Sequence, residues 1–503
     1  MAITPNPHNT TGFLGWIDDR FPLTKMWKDH VGEYYAPKNF NFWYYFGSLA
    51  LLVLVNQLLT GIFLTMHYKP SAAEAFASVE YIMRDVPWGN IIRYLHSTGA
   101  SAFFIVVYLH MFRALLYGSH RKPRELLWIF GCLIYLALMA EAFAGYVLPW
   151  GQMSFWGAQV IISLFGAIPV IGPDLVIWIQ GDYIPSDATL NRMFSLHVVA
   201  LPFVLVGLVV AHIMALHEVG SNNPDGIEIK KNKDASGKPV DGIPFHPYYT
   251  VKDIAGTAVF LIIFLGVVFF APEGGGNFLE APNFEPADPL QTPAHIVPVW
   301  YFGAFYAMLR AVPDKLAGVI VMFSAVLIMF VLPWLDRSPV KSIRYKGLLS
   351  KVILMLFAVS FLVLTYLGTR ASTDLGTIIA RICTVYYSPS SCSCPGIRSW
   401  IAPSRSRTAS PNEPSRHDET PYLSSLPAGG GARQRPRLRR RRRRRAELFA
   451  GHRQRGLAAA RRTQLHELLL RLSRAEVPAL QPHGRGSRHT RRSGGGTAHV
   501  HHR

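Results

Sequence analysis

The sequence predicts an all-α, polytopic transmembrane helix bundle, and three observations carry that prediction. Half of the 503 residues are hydrophobic and only 16% are charged, where a soluble chain carries about 25% charged residues. Seven apolar runs are long enough to cross a hydrocarbon core of about 30 Å. The formal charge of +20 is concentrated at one end: residues 388–503 hold 25 Arg, no Lys and 6 acidic residues, which leaves +1 for everything before them. A nearly neutral membrane part followed by a basic tail is therefore expected, with no nucleic-acid partner.

In chain order, residues 1–41 are polar and aromatic with no cleavable signal pattern, and read as a cytoplasmic segment. The apolar runs follow at Phe42 to Met66, Ile91 to Leu116, Leu127 to Leu148, Met193 to Leu216, Ile254 to Phe270, Ala317 to Leu335 and Leu348 to Leu367, with an eighth begun at Thr377 to Tyr387. Lys and Arg collect in alternate loops: Arg121, Lys122 and Arg124, then Lys230, Lys231, Lys233 and Lys238, then Arg337, Lys341, Arg344 and Lys346. The loops Ala158 to Asn191 and Pro272 to Val299 carry acids and no basic residue. The positive-inside rule puts the basic loops and the N-terminus in the cytoplasm. Cys132 and Cys383 lie in apolar segments, and Cys392 and Cys394 in the tail. They provide neither a disulfide framework nor a C-x-x-C-H haem attachment site, so any haem is held without thioether bonds.

Four helix-borne histidines are the chemical signal. His96 and His110 on the second run are 14 residues apart, close to four whole turns, so both rings leave one face about 21 Å apart. His197 and His212 on the fourth run are 15 apart, which turns the second ring by about 60°. Imidazole pairs from facing helices supply both axial ligands of a haem iron and leave no open position, as electron transfer requires. Hydrogen bonding between helices explains one membrane histidine well, but four unsatisfied imidazoles are costly. Gly47 and Gly61 on the first run, and Gly131 and Gly145 on the third, repeat the 14-residue interval. Small-residue packing is the plain reading; the shared period suggests instead that a flat porphyrin approaches the backbone there. Arg93 and Arg113 flank the histidines of the second run, as propionate partners or as snorkelling anchors.

Four further stretches, R-Y-L-H-S-T-G-A at Arg93 to Ala100, G-Y-V-L-P-W-G-Q-M-S-F-W-G-A at Gly145 to Ala158, H-E-V-G-S-N-N-P at His217 to Pro224 and H-P-Y-Y-T-V-K-D at His246 to Asp253, complete a pattern that resembles the cytochrome b family of bc complexes over nearly all of residues 10–387. The resemblance implies eight helices, the eighth disrupted here, with two non-covalent b haems in a four-helix core within residues 42–250. Residues 251–387 then carry the remaining helices and an external quinol-site loop. It assigns His96 and His197 to an outer, low-potential haem, and His110 and His212 to an inner, high-potential one. It implies a ubiquinol-oxidising outer site of Tyr146, Pro149, Gly151, Phe155, Pro298, Trp300 and Tyr301, and an inner quinone-reducing site of His217, Ser221, Lys252 and Asp253. It also implies a Rieske iron-sulfur protein and a cytochrome c subunit as partners, contact with membrane lipid, a homodimeric complex, and electron bifurcation coupled to proton translocation.

One position departs from the family. Where its commonest pattern reads Pro-Glu-Trp-Tyr, this chain has Pro298-Val299-Trp300-Tyr301, so the second position cannot accept a proton from quinol. Glu141, the only acid inside the third apolar run, is the expected substitute, against a purely structural carboxylate. A non-enzymatic di-haem electron conduit is the competing function, and a transporter with structural histidines a third. From Ser388 the composition changes abruptly, with Arg continuous from Arg439 to Arg445. Regrouping the codons of the serine-rich stretch from Ser388 is compatible with an apolar end to the eighth helix. Regrouping those of His466 to Gly484 is compatible with a Cys-x-Gly-Cys-His haem motif like that of the complex's cytochrome c subunit. Residues 388–503 thus read as a frameshifted, disordered product running into a neighbouring gene.

Overall fold

A computed structural model describes residues 12–387; the tail and the reading of its frame lie outside the described residues. Seven helices of spanning length and apolarity are present among them: Phe42–Thr65, Gly89–Tyr117, Glu125–Val147, Asp187–Val219, Tyr248–Phe270, Lys315–Leu335 and Leu348–Gly368. They are called the first to seventh spans below. Their centres match the apolar runs, because in a bilayer solvent only internally hydrogen-bonded backbone survives and hydropathy marks it directly. The eighth segment is helical over Asp374–Tyr387. Side chains such as Ile262, Ile263 and Phe270 on the fifth span are exposed, as expected of a surface whose solvent is hydrocarbon.

The fourth span departs from a regular helix. It begins at Asp187 with a capping box between Ser186 and Thr189, then passes through a π turn, Leu196–Ala200, before continuing as Leu201–Val219. Leu201 N–H donates to Leu196 O, five residues back. Pro202 follows, with no N–H to offer the carbonyl of Val198. A π turn holds one residue more than an α turn. The 15-residue interval from His197 to His212 therefore covers the same four turns as the 14 residues from His96 to His110. The rotation of about 60° expected for an ideal helix is taken up by this insertion.

The first span packs along the second, and the third along the fourth. Between them Val53, Leu54, Phe103, Phe104, Tyr135 and Leu138 form a core that continues into Tyr301, Phe305 and Met308 of the segment after the external loop. Those residues belong to a short helix, Gly303–Ala311, and the turn before it. The seventh span and the eighth helix pack on that short helix. The loop after the third span folds into helices Gln152–Ser163 and Gly172–Gln180 over a separate cluster that includes Trp150, Phe155, Ala158, Ile162 and Leu190.

At the basic-loop end, Tyr35–Pro37 pairs antiparallel with Gly242–Pro244, and Tyr249 OH donates to Pro37 O at 2.6 Å. Arg124, buried, holds Glu228 through two 2.8 Å hydrogen bonds and Gly220 O through Nε. Lys341 Nζ adds a third contact to Glu228 at 2.7 Å. These charge-assisted bonds hold the Glu228 carboxyl down at about 2, even though partial burial opposes them.

Candidate functional site

Two cavities lie within the four-helix core, and Leu54 and Phe103 line both. The outer one, about 270 Å³, contains His96 and His197; the inner one, about 530 Å³, contains His110 and His212. Ring centres are 6.0 Å apart in the outer pair and 6.3 Å in the inner pair, with interplanar angles of 87° and 62°. Two metal–nitrogen bonds of about 2 Å, plus about 1.2 Å from each Nε2 to its ring centre, require a separation of about 6.4 Å. Both pairs are therefore spaced to share one metal atom.

Hydrogen bonds fix the tautomer of the outer pair. Thr60 Oγ1 donates its one proton to Asn56 O at 2.6 Å, so it accepts from His96 Nδ1–H at 2.9 Å. His197 Nδ1 lies 2.9 Å from Glu141 O, which can only accept, and 3.0 Å from Glu141 Oε1. The proton is thus on Nδ1 in both rings and the Nε2 lone pair is left for a metal. His110 Nδ1 is buried without a partner, so the inner pair has no such clamp on that ring.

Each of the four glycines faces a histidine ring. A Cβ at Gly61 would meet His96 Cε1 at 3.3 Å, at Gly47 His110 Cε1 at 3.4 Å, at Gly131 His212 Cε1 at 3.4 Å, and at Gly145 His197 Cε1 at 2.4 Å. Antiparallel packing of helices that share a near-equal interval makes this pairing: a glycine early in one helix meets a histidine late in its neighbour. The absent side chains therefore make room for imidazole rings, which in turn set how the rings point.

Arg93 lines the outer cavity and Arg113 the inner one. Neither guanidinium forms a salt bridge among the described residues. Arg113 lies 4.9 Å over the Tyr44 ring with its Nε buried and unpaired. A partly buried guanidinium without a salt bridge at each cavity fits a group that brings its own carboxylates. Spacing and charge fit a bis-histidine haem in each cavity, and in the outer one the tautomer fits as well.

Of the expected outer quinol residues, Tyr146, Pro149 and Tyr301 line the outer cavity, joined by Val299. Tyr301 stacks on Phe104 with ring centres 4.0 Å apart, and Trp300 Nε1 donates to Ser101 Oγ at 3.1 Å. Gly151 abuts Asn283, where a Cβ would lie 2.4 Å from Asn283 Oδ1. Phe155 packs edge-on to Trp150, and Pro298 precedes the buried Val299. These last residues shape the wall without being part of its lining. Of the expected inner residues, Ser221, Lys252 and Asp253 line the inner cavity, while the His217 ring packs 4.8 Å from that of Tyr34.

Sequence reasoning missed Thr60, which nothing in its own neighbourhood marks, and Glu280. Tyr146 OH donates to Glu280 Oε2 at 3.0 Å, an association across 134 residues.

Comparison with known proteins agrees with this geometry. The sequence profile described as "Cytochrome b/b6/petB" matches residues 31–220, and "Cytochrome b(C-terminal)/b6/petD" matches residues 286–388. Cytochrome b of Allochromatium vinosum is 64% identical over 382 residues, 74% of this chain and 92% of that one. Cytochrome b of Rhodospirillum rubrum is 51% identical over 375 residues, 74% of this chain and 89% of that one. Cytochrome b/c1 of Bradyrhizobium diazoefficiens is 47% identical over 375 residues, 74% of this chain and 53% of that one. A chain of a hyperthermophilic respiratory Complex III superposes with a TM-score of 0.71 at 38% identity, covering 77% of this chain and 99% of that one. With its paired histidines, spanning helices and these relatives in agreement, the chain belongs to the cytochrome b/b6 family.

Proposed function

We propose that this multi-pass membrane protein is the quinone-handling subunit of a quinol:cytochrome c oxidoreductase, oxidising ubiquinol at an outer site and reducing quinone at an inner one. Family membership implies haem, and likeness to a Complex III chain supports a place in a multi-subunit complex. The observation that carries the fuller reading is the doubled histidine pair, 6.0 and 6.3 Å between ring centres, each in its own cavity with an arginine in the lining. When bound, two haems supply the one-electron carriers that connect the two quinone sites.

The protein's own part is to position. His96 and His197 present Nε2 because Thr60 and Glu141 hold their Nδ1 protons. Arg93 and Arg113 offset propionate charge. At the outer side Tyr146, Pro149 and Tyr301 give quinol an apolar wall with two hydroxyls. At the inner side Ser221, Lys252 and Asp253, with His217 nearby, offer donors and a carboxylate for quinone carbonyls and incoming protons. Release of protons on one side and uptake on the other makes the reaction translocate them. The reading includes a Rieske iron-sulfur protein and a cytochrome c subunit as partners, a homodimeric complex, and a bacterial inner membrane with the N-terminus in the cytoplasm.

The test is quinol-dependent reduction of the b-type absorbance in membranes, with and without an outer-site inhibitor. Reduction of two components, abolished by the inhibitor when the inner site is also blocked, is expected. Absorbance that dithionite reduces and quinol does not would leave a di-haem conduit without quinone chemistry.

A further inference from the structure

Any quinol-oxidising site needs a group that takes a proton as the hydroxyl gives up its electrons. Val299 is 3% exposed, lines the outer cavity and has no acceptor atom. Glu141 lines the cavity too, but its Oε1 and its carbonyl both face His197 Nδ1, which ties it to the ring's orientation. A second acid, Glu280 on the external loop, stands just behind the lining. Its neighbours Phe278, Leu279 and Asn283 line the cavity, and its Oε2 accepts from the hydroxyl of Tyr146, itself a lining residue.

The loop that carries Glu280 is fastened to the chain leaving the third span. Asn283 Oδ1 accepts from Ser154 N at 2.9 Å, Gln152 N donates to Glu285 O at 3.0 Å, and Ser154 Oγ donates to Tyr146 O at 2.6 Å. The carboxylate and the tyrosine are thus held in one rigid unit. Among the described residues no lysine, arginine or histidine pairs with Glu280; the titratable groups that face it are Tyr146 from the third span and Tyr301 from the turn after the loop. Burial without a cation pushes its carboxyl up to about 7, against the pull of the tyrosine hydrogen bond. A group with that affinity can accept a proton near neutral pH and release it again.

We propose that Glu280, acting through the Tyr146 hydroxyl, is the proton acceptor of the outer quinol site, in the role that Val299 cannot fill. The inference rests on the quinol-oxidation reading above. Conversion of one quinol to quinone gives up two electrons and two protons. The electrons leave singly, one to an external iron-sulfur acceptor and one to the haem pair. One proton leaves toward the iron-sulfur side. For the other, the quinol O–H bond breaks as Tyr146 Oη takes its hydrogen, and the tyrosine's own proton forms the O–H of Glu280 carboxylic acid. Glu280, mostly buried but on the external loop, then passes it to external water.

The experiment uses the whole complex in membranes with the inner site inhibited, so that b-type reduction reports the outer reaction alone. Wild type, Glu280→Gln, Glu280→Gln with Val299→Glu, and Glu141→Gln are compared between pH 5.5 and 9. Glu280→Gln is expected to slow reduction by roughly tenfold or more and to remove the inflection near pH 7. Val299→Glu is expected to restore rate and inflection in that background, and Glu141→Gln to keep the inflection. Intact dithionite-reduced spectra confirm that each variant has assembled. Wild-type rate and pH profile in Glu280→Gln would overturn the proposal. A wild-type complex that quinol never reduces would overturn the underlying function instead. If Glu280→Gln loses its haem spectra, Glu280→Asp decides: a displaced inflection supports the role and an unmoved one refutes it.

Discussion

Replacing Gly145 by alanine sets a methyl carbon 2.4 Å from His197 Cε1, 2.8 Å from Nδ1 and 2.9 Å from Nε2. Ordinary carbon contacts lie at about 3.5 Å or more, so the imidazole must retreat by about 1 Å. A metal ligand keeps its bond only within about 0.2 Å of the proper length, and the ring cannot give way freely, since Nδ1 is held at Glu141. Overpacking of this kind costs about 1–3 kcal/mol where the surroundings can adjust, a loss of roughly ten- to a hundredfold in haem occupancy at the outer pair. The same substitution at Gly47 or Gly131 places the carbon at 3.4 Å, and at Gly61 at 3.3 Å, which needs a shift of a few tenths of an ångström at most.

Reduced-minus-oxidised spectra of membranes, resolved by redox titration, read both haem components separately. Gly145→Ala is expected to lose the lower-potential component and keep the other, while Gly47→Ala and Gly131→Ala keep both. Equal losses at Gly145 and Gly47, or two intact components in Gly145→Ala, would refute the view that the glycines make room for imidazole rings.

Other outcomes follow from the same geometry. Thr60→Val removes the acceptor for His96 Nδ1–H and is expected to weaken outer-haem retention by about tenfold, measured as haem content through detergent purification. Glu228→Gln breaks a partly buried pair with Arg124 and Lys341 and is expected to destabilise the solubilised protein by about 3 kcal/mol. Because the folded-state carboxyl is held down at about 2, that stabilisation is full above the unfolded value of about 4.3 and fades as pH falls from there towards 2. From pH 7 to pH 3 the gap between the melting curves of wild type and variant should shrink to roughly half. Sequencing the DNA around codon 388 is expected to reveal a base gained or lost, with the restored frame continuing the apolar pattern of Asp374–Tyr387.

The spans were legible because each is a local, contiguous apolar stretch, and the histidine ladder because helical period is a local property as well. The acid-only external loop and the Val299 departure were equally plain in the letters. What escaped depends on partners far along the chain. The π turn at Leu196–Ala200 is signalled only by Pro202 and the odd 15-residue interval. The glycines' true neighbours depend on antiparallel register. Thr60 matters only because His96 arrives beside it, and Glu280 only because Tyr146, 134 residues earlier, points at it. Glu141 was plain as the lone acid of its apolar run and does line the outer cavity, but its contact with His197 was not legible.

The strand Tyr35–Pro37 carries a consequence for the order of assembly. Its partner, Gly242–Pro244, leaves the ribosome only after the first four spans, and Tyr249, which grips Pro37 O, later still. Phe40, just beyond the strand, packs with its ring centre 5.0 Å from that of Tyr249 and lines the inner cavity. This early segment must therefore wait for some two hundred later residues before it can close this end of the core. Until then the inner cavity lacks part of its wall at the basic-loop end, and the strand acts as a latch set only once the four-helix core has been made.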